Sequence, residues 1–135
     1  MRHRKKKQNL ARSQSQRRAL LRSLASALIL REKIFTTEGK AKKLRPFLEK
    51  SISRARKDNL TTKRLLLRDF SPRIVNKLIK EIGPRYLDRP GGYLRIVKIN
   101  PRKTDNAKMV LLELVHPVKS REAGSPEAKF NRVKK

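Results

Sequence analysis

The chain has 135 residues, and its 38 Lys and Arg against 11 Asp and Glu give a formal net charge of +27. Self-repulsion on that scale opposes a compact state unless a polyanion supplies counter-charge, so RNA, DNA or an anionic membrane surface is the expected partner. The absence of cysteine excludes disulfides, thiol catalysis and cysteine-based zinc sites. No apolar run approaches the roughly 18 residues that a membrane span needs.

Residues 1–14 are expected to form an extended basic arm, because the opening MRHRKKK has no acidic residue and almost nothing to bury. A first helix should follow, since Ser13 and Gln16 have the spacing of a capping box. Its apolar stripe would include Leu20 or Leu21, Leu24, and Ala27 or Leu28. Arginines 18 and 22 lie one turn apart off that stripe, so the helix should bury one side and offer cations on another.

Residues 34–36 are β-branched or aromatic and predict a short strand. Thr37 or Glu38 could then cap a second helix. Pro46 conflicts with a regular helix, because an interior proline costs ~3 kcal/mol. The apolar stripe nevertheless continues in phase across it, which favours one kinked helix over two separate ones. That stripe consists of Ala41, Leu44, Leu48, Ile52 and Ala55.

Residues 59–69 predict a short helix, and a better delimited one begins at Ser71 as N-cap with Pro72 in the first turn. Gly83-Pro84 should end that helix, with Gly83 in the left-handed position beyond its last turn. The helix would present a clean apolar face of Ile74, Val75, Leu78, Ile79 and Ile82.

Residues 93–99 and 108–116 are rich in strand formers and predict an antiparallel pair joined by a long loop, with residues 33–36 as a third strand. The predicted fold class is therefore α+β, with about four helices packed on a small antiparallel sheet of about three strands. The globular domain would span residues 15–116. Residues 117–135, with little apolar content and a Gly-Ser-Pro break, are expected to form a flexible basic tail.

No catalytic site can be assembled, and the sequence has neither a GxxxxGK[ST] nor a GxGxxG phosphate loop. His3 is expected to contact phosphate or base rather than a metal, and His116 to be a surface residue at a strand end. Glu32, Asp69 and Asp88 each adjoin Lys or Arg in the chain, so local charge compensation explains them better than acid–base chemistry. We expect no enzyme activity, no cofactor, no metal site and no small-molecule substrate.

Four basic clusters are the candidates for binding the polyanion, although any single lysine could simply lie on a solvated face. Planar guanidinium groups suit bidentate phosphate contacts. The clusters are the arm residues Arg2, His3, Arg4, Lys5, Lys6, Lys7 and Arg12; the helix residues Arg17, Arg18 and Arg22; the second-helix residues Lys40, Lys42 and Lys43; and Arg85, Arg89, Arg95, Lys98, Arg102 and Lys103 around the hairpin and the turn at Gly91 and Gly92, which are candidate RNA-binding residues too.

Gly91-Gly92 has two compatible interpretations: a tight turn that needs a positive φ, and a close backbone approach to a phosphate. Tyr93 could stack on a base or pack in the core, and the core is favoured. Aromatic residues make up only 4% of the chain. That composition argues against a base-stacking single-strand binder and for a protein that contacts the phosphates and shape of folded RNA.

Several stretches in register resemble the bacterial large-subunit ribosomal protein seventeen family. They are MRHRK at the start, IFTTEGKAK at 34–42, GPRYxxRPGGYxRI at 83–96 and DNAKM at 105–109. The resemblance covers residues 1 to about 116; Pro46 and the tail after Val115 depart from it. It implies a non-catalytic structural component of the large subunit that binds folded large-subunit rRNA near the nascent-chain tunnel exit, beside other large-subunit proteins. Residues 2–7 would then thread between rRNA helices, while Lys40, Lys42 and the 85–95 segment would hold the globular part on RNA.

The resemblance also implies a cytoplasmic, ribosomal location in a bacterium, although a processed organellar protein could look the same. The basic start is not followed by the apolar stretch of a signal peptide. The main alternative is a general DNA- and RNA-binding, nucleoid-type protein. A membrane partner is not expected, because the arm has no apolar face to insert.

Overall fold

The computed structural model describes residues 10–115. Four helices, a π-helical turn and a single further turn of helix are followed by a hairpin, and a first strand lies between helices one and two. In chain order the elements are α1 (Gln14–Arg31), β1 (Lys33–Thr37), α2 (Glu38–Ala55), α3 (Leu60–Leu67), α4 (Pro72–Lys77), a π-helical turn (Leu78–Ile82) that continues α4, the single turn α5 (Gly83–Arg85), β2 (Leu94–Lys98) and β3 (Met109–Leu114).

The predicted capping box at the start of α1 is confirmed. The Gln16 backbone N–H donates to Ser13 Oγ, and the Ser13 N–H donates to the Gln16 side chain, both at 3.4 Å. The helix ends at Glu32, which adopts a left-handed φ of 62° and donates its N–H to the Leu28 carbonyl at 2.7 Å. The stripe is broadly as expected: Leu28 is fully buried, and Leu24 packs on the core from a partly buried position.

Helix α2 is one helix through Pro46, as predicted, and every residue of its predicted stripe is buried. The predicted kink at Pro46 stays a prediction. Pro46 itself is exposed. Lys42, four residues earlier, is exposed as well, so the hydrogen bond that the proline cannot donate is missing on the solvent side of the helix. The apolar stripe therefore decides the course of this helix in spite of the proline.

The apolar face predicted for the fourth helix is also confirmed, since all five of its residues are buried. The prediction that Gly83 ends the helix in a left-handed conformation is wrong. Gly83 has φ −54° and ψ −54° and remains helical. A Cβ on it would lie 2.4 Å from the carbonyl oxygen of Ala55. The glycine is needed for the close approach of the end of α2 and not for backbone freedom.

The three strands form one antiparallel sheet in the order β1-β3-β2, so the predicted third strand pairs with β3 in the centre. Alternate residues of each strand face the helices. Val110, Leu112 and Leu114 of β3 are buried there, as are Ile34 of β1 and Leu94 of β2. The opposite face of the sheet holds Phe35, Leu111 and Val97, described below.

The α+β class, with helices packed on a small antiparallel sheet, is thus confirmed. The predicted flexible tail and most of the arm, residues 1–9 and 116–135, lie outside the described residues, and the domain limits stay predictions. In the part of the chain that the structure describes, no helix is long and apolar enough to cross a membrane. The same residues contain no cluster of three potential metal ligands.

Candidate nucleic-acid interface

The two arginines that the sequence placed on the outer side of α1 converge on one carboxylate. Arg22 Nη2 lies 2.7 Å and Arg18 Nη2 3.3 Å from Oδ1 of Asp69, which follows α3. Burial alone would raise the pKa of Asp69, but the hydrogen bonds from Arg22 and Arg18 lower it below its ordinary value. Arg22 also donates to the Arg68 carbonyl. The two cations are therefore held in place, while Arg18 keeps 63% of its side chain exposed.

A hollow of about 540 Å³ adjoins this ion pair, lined by Gln14, Ser15, Arg18, Ala19 and Arg22. Arg17, in the same predicted cluster, is half-buried, and Arg12 is exposed just before the helix. The start of α1 therefore presents a concave surface with guanidinium groups on its wall.

The fourth cluster is also tied to acidic residues. Arg85 forms a bidentate pair with Glu32, with two N–O distances of 2.9 Å. The hydrogen bonds that Arg85 donates to Glu32 raise the pKa of Arg85. On the adjacent sheet, Arg95 pairs with Glu113 across the two strands. A hollow of about 250 Å³ beside these pairs is lined by Arg31, Glu32, Lys33, Glu113 and Leu114.

The segment 85–95, which the family resemblance assigned to RNA contact, also makes several contacts that secure the fold. Tyr86 is fully buried and donates its hydroxyl proton to the Val115 carbonyl at 2.7 Å. Tyr93 is also fully buried, as predicted, and its ring lies 5.0 Å from that of Tyr86. These contacts fasten the loop between α5 and β2 to the end of β3.

The positive φ that a tight turn at Gly91-Gly92 would need occurs at one of the two glycines. Gly92 has φ +65°, whereas Gly91 is exposed with open space where a Cβ would stand. The Gly91 carbonyl accepts a hydrogen bond from Arg89 Nε at 3.1 Å. An approach of these backbone amides to phosphate stays a prediction.

The beginning of α2 and the β2–β3 hairpin form a third basic region. Lys42 Nζ lies 2.6 Å from Glu38, and the Glu38 N–H donates to the Lys108 carbonyl at 2.9 Å. The hydrogen bond from Lys42 lowers the pKa of Glu38, helped by the charges of Lys98 and Lys108. Within residues 10–115, Lys40, Lys43 and Lys103 form no ion pair, whereas Arg102 lies 3.3 Å from Asp105.

The expectation that acidic residues are compensated by their sequence neighbours is wrong for Glu32 and Asp69. Their partners Arg85 and Arg22 are 53 and 47 positions away. Sequence reasoning also missed Arg56, which donates to the Leu87 carbonyl at 2.6 Å and to the Tyr93 hydroxyl at 3.3 Å. No local signal could have identified these partners, because they depend on which elements pack together.

The arm residues Arg2, His3, Arg4, Lys5, Lys6 and Lys7, together with His116, lie outside the described residues. Their contacts with RNA, and those of the described clusters, stay predictions.

Comparison with known proteins gives a consistent result. A family model described as "Ribosomal protein L17" matches residues 20–115. The chain is 49% identical over 116 residues to the "Large ribosomal subunit protein bL17" of Gemmatimonas aurantiaca, which covers 85% of this chain and 98% of the relative. It is 48% identical over 107 residues to the protein of the same name from Carboxydothermus hydrogenoformans, covering 78% of this chain and 96% of that one.

Proposed function

The chain belongs to the ribosomal protein L17 family, and from that premise we propose that it binds and stabilises folded large-subunit rRNA through phosphate contacts, near the exit of the nascent-chain tunnel. Family membership makes it a structural constituent of the large ribosomal subunit, acting in translation, and not an enzyme. Its partners there would be large-subunit rRNA and neighbouring large-subunit proteins.

The observation that carries the proposal is the excess of cations over the carboxylates that could neutralise them. Lys and Arg outnumber Asp and Glu by 38 to 11, so internal ion pairs leave most of the positive charge for another partner. RNA supplies phosphates at the required density, and neutralising them releases counterions. Arg12, Lys40, Lys43 and Lys103 are cations without an ionic partner among the described residues.

The arginines already paired with acidic residues also fit this role. A guanidinium has five N–H donors, and Arg18 uses one nitrogen on Asp69. Arg95 remains 65% exposed beside Glu113. Each pair fixes the planar group before RNA binds, so less side-chain freedom is lost when its remaining donors meet a phosphate.

Phosphate contact is favoured over base stacking because both tyrosines are buried. Tyr86 and Tyr93 are fully enclosed, and Phe70 is 5% exposed. Among residues 10–115, Phe35 is the single aromatic side chain that is largely exposed. A binder that relies on stacking needs several aromatic faces at its surface.

The basic arm would add contacts that the globular part cannot make. Residues 2–7 hold six consecutive positions without an acidic or apolar side chain. Such a segment can enter a crevice between rRNA helices and be ordered there by phosphates, at some entropic cost. One small protein could in this way connect rRNA segments that are distant in sequence.

Salt-dependent binding to large-subunit rRNA tests the proposal. Six phosphate contacts predict a slope of about −4 to −5 for the logarithm of affinity against the logarithm of salt concentration. Deleting residues 2–7 should make that slope shallower and weaken binding. An unchanged affinity and slope would refute the role of the arm.

A matched pair of triple variants tests the globular clusters. Replacing Lys40, Lys43 and Lys103 with Gln should reduce the slope by about 0.7–0.9 for each phosphate that is no longer neutralised. The control variant replaces three exposed lysines outside the clusters, Lys57, Lys63 and Lys80, and removes the same charge. Equal losses of affinity in both variants would mean that rRNA affinity depends on net charge alone and not on the positions of the lysines.

Two further measurements test whether the chain is part of the large ribosomal subunit and where in the subunit it lies. The tagged chain should sediment with large subunits near a one-to-one ratio and stay there at high salt. Equal affinity for duplex DNA and a spread over DNA and RNA fractions would instead support a general nucleoid-type binder. Cross-linking of the assembled chain to a stalled nascent chain that has just left the tunnel tests the proposed position, and absence of that adduct would place the protein elsewhere.

A further inference from the structure

Two adjacent rows on the outer face of the sheet carry no charged residue, although 38 of the 135 residues of the chain are Lys or Arg. The strand register places Phe35, Leu111 and Val97 in one row across the three strands. In the next row, Met109 and Ile99 lie beside the uncharged Thr37, and the Ile99 N–H donates to the Met109 carbonyl. The five apolar residues of these two rows are called the apolar sheet face here.

Among the described residues, the Arg102 side chain reaches the edge of this face, with Nη2 3.6 Å from Met109 Sδ, and the row from Phe35 to Val97 stays open. Phe35 is 68% exposed, while Val97 and Ile99 are 39% and 40% exposed. The helices pack on the other side of the sheet, where Ile34, Val110 and other alternate residues are buried. Contiguous exposed apolar surface of this kind usually marks an interaction site.

The charges on and around the apolar sheet face argue against two possible binding partners, RNA and a second copy of the chain. The rows of the apolar sheet face contain no charged residue, and the nearest charged row consists of Lys33, Glu113 and Arg95. Arg95 is already paired with Glu113. If an RNA backbone lay on this face, its phosphates would contact apolar side chains instead of the cations that neutralise them. A second copy of the chain would bring another +27 charges against the first.

A protein segment fits the face better. Its centre would have to be apolar, to cover the row from Phe35 to Val97. Its ends would be acidic, because Lys33 stands at one end of the face. At the other end, a hollow of about 240 Å³ is lined by Ile99 and Met109 together with Lys98, Lys108 and Glu38.

We propose that the apolar sheet face docks a segment of a neighbouring large-subunit protein that has apolar side chains at its centre and carboxylates at its ends. The proposal rests on the proposed function, since it takes the partner from the same particle. It assigns the two sides of the surface different roles: basic clusters meet RNA, and the apolar sheet face meets protein.

The full chain has no cysteine, so a single introduced thiol can place a cross-linker at one position. Phe35→Cys, labelled with a maleimide benzophenone and assembled into large subunits, should form on irradiation an adduct that nuclease leaves intact and protease removes. Val97→Cys, in the same row, should capture the same protein. Leu60→Cys is the control, because Leu60 is 63% exposed at the start of α3; it should not capture that protein.

The outcomes are distinguishable. An adduct with rRNA, with a second copy or within the same chain overturns the docking proposal, and so does the absence of any adduct in assembled subunits. Failure of the unlabelled chain to enter large subunits contradicts the proposed function instead.

Substitution gives an independent readout. Phe35→Glu should lower the yield of the Val97 adduct at least about tenfold while rRNA affinity changes less than about twofold. Leu60→Glu, which introduces the same charge, should change neither. A loss of rRNA affinity in Phe35→Glu equal to the loss of adduct would mean that the face binds RNA.

Discussion

Substituting Gly83 with alanine should destabilise the protein although the residue lies in a helix. Helix propensity alone favours alanine over glycine by ~0.5–1 kcal/mol. In this structure, however, the new Cβ would lie 2.4 Å from the Ala55 carbonyl oxygen, 2.9 Å from its carbon and 3.2 Å from the Leu78 oxygen. All three are backbone atoms, so no side chain can rotate away to make room.

The size of the effect follows from these two opposing terms. Forcing extra volume into a packed region costs ~1–3 kcal/mol. With the middle of each range, the gain in helix propensity offsets less than half of the packing cost, so Gly83→Ala should lower the free energy of unfolding by ~1 kcal/mol. For a domain of this size, 1 kcal/mol corresponds to roughly 4–8 °C in the melting temperature.

Gly39 provides the matched control, because it also lies in a helix and a Cβ on it would meet only Leu10 Cδ2, at 3.9 Å. Gly39→Ala should therefore be neutral or stabilising by ~0.5 kcal/mol. Both variants and the parent chain are melted by circular dichroism in sulfate buffer, since sulfate screens the net charge. If Gly83→Ala melts at or above the parent temperature, the end of α2 can relax and the packing argument is wrong.

Three further changes test contacts that join distant parts of the chain. Asp69→Asn should lower the free energy of unfolding by ~1–2 kcal/mol at neutral pH, because Arg22 loses a charged acceptor. The pKa of Asp69 is lowered in the fold, so the carboxylate stabilises the protein fully above its ordinary pKa of 3.8, and this stabilisation is lost as the pH falls below that value. Urea unfolding of the variant at several pH values should therefore lack this loss of stability in acid. Glu32→Gln combined with Arg85→Met in a double-mutant cycle should give a coupling energy of ~1 kcal/mol, whereas additive effects would mean that the bidentate pair adds no stability. Tyr86→Phe should lower the free energy of unfolding by ~0.5–1.5 kcal/mol, because the carbonyl of the half-buried Val115 loses its donor, and an unchanged urea midpoint would contradict this.

Some residues of the basic clusters make contacts inside the fold, and others form no ion pair among the described residues. Arg85 and Tyr86 belong to a stretch that the sequence assigned to RNA, yet both make contacts inside the fold. Substituting Arg85 would therefore affect stability and RNA binding together. Lys40 and Lys43, which form no ion pair among the described residues, are better positions for testing RNA contact alone.

Much of this protein's secondary structure could be predicted from the sequence, because it depends on local spacing. The Ser13–Gln16 capping box, the stripe of α2 and the apolar face of α4 with its π-helical extension all occur where the periodicity placed them. A stripe is a property of neighbours three and four positions apart, and such a pattern was strong enough to indicate that α2 continues through Pro46. The net charge likewise required only counting, and it was sufficient to indicate a polyanionic partner.

The tertiary structure alone decided the rest, because those features depend on which distant segments meet. Gly83 is required by the carbonyl of Ala55, and nothing near Gly83 in the chain indicates that contact. The partners of Glu32 and Asp69 lie 53 and 47 positions away, although each has a basic neighbour in the sequence. The apolar sheet face exists only after three separate strands are brought into register. The sequence therefore determined how many cations the protein offers, and the packing of its elements determined which of them are already engaged.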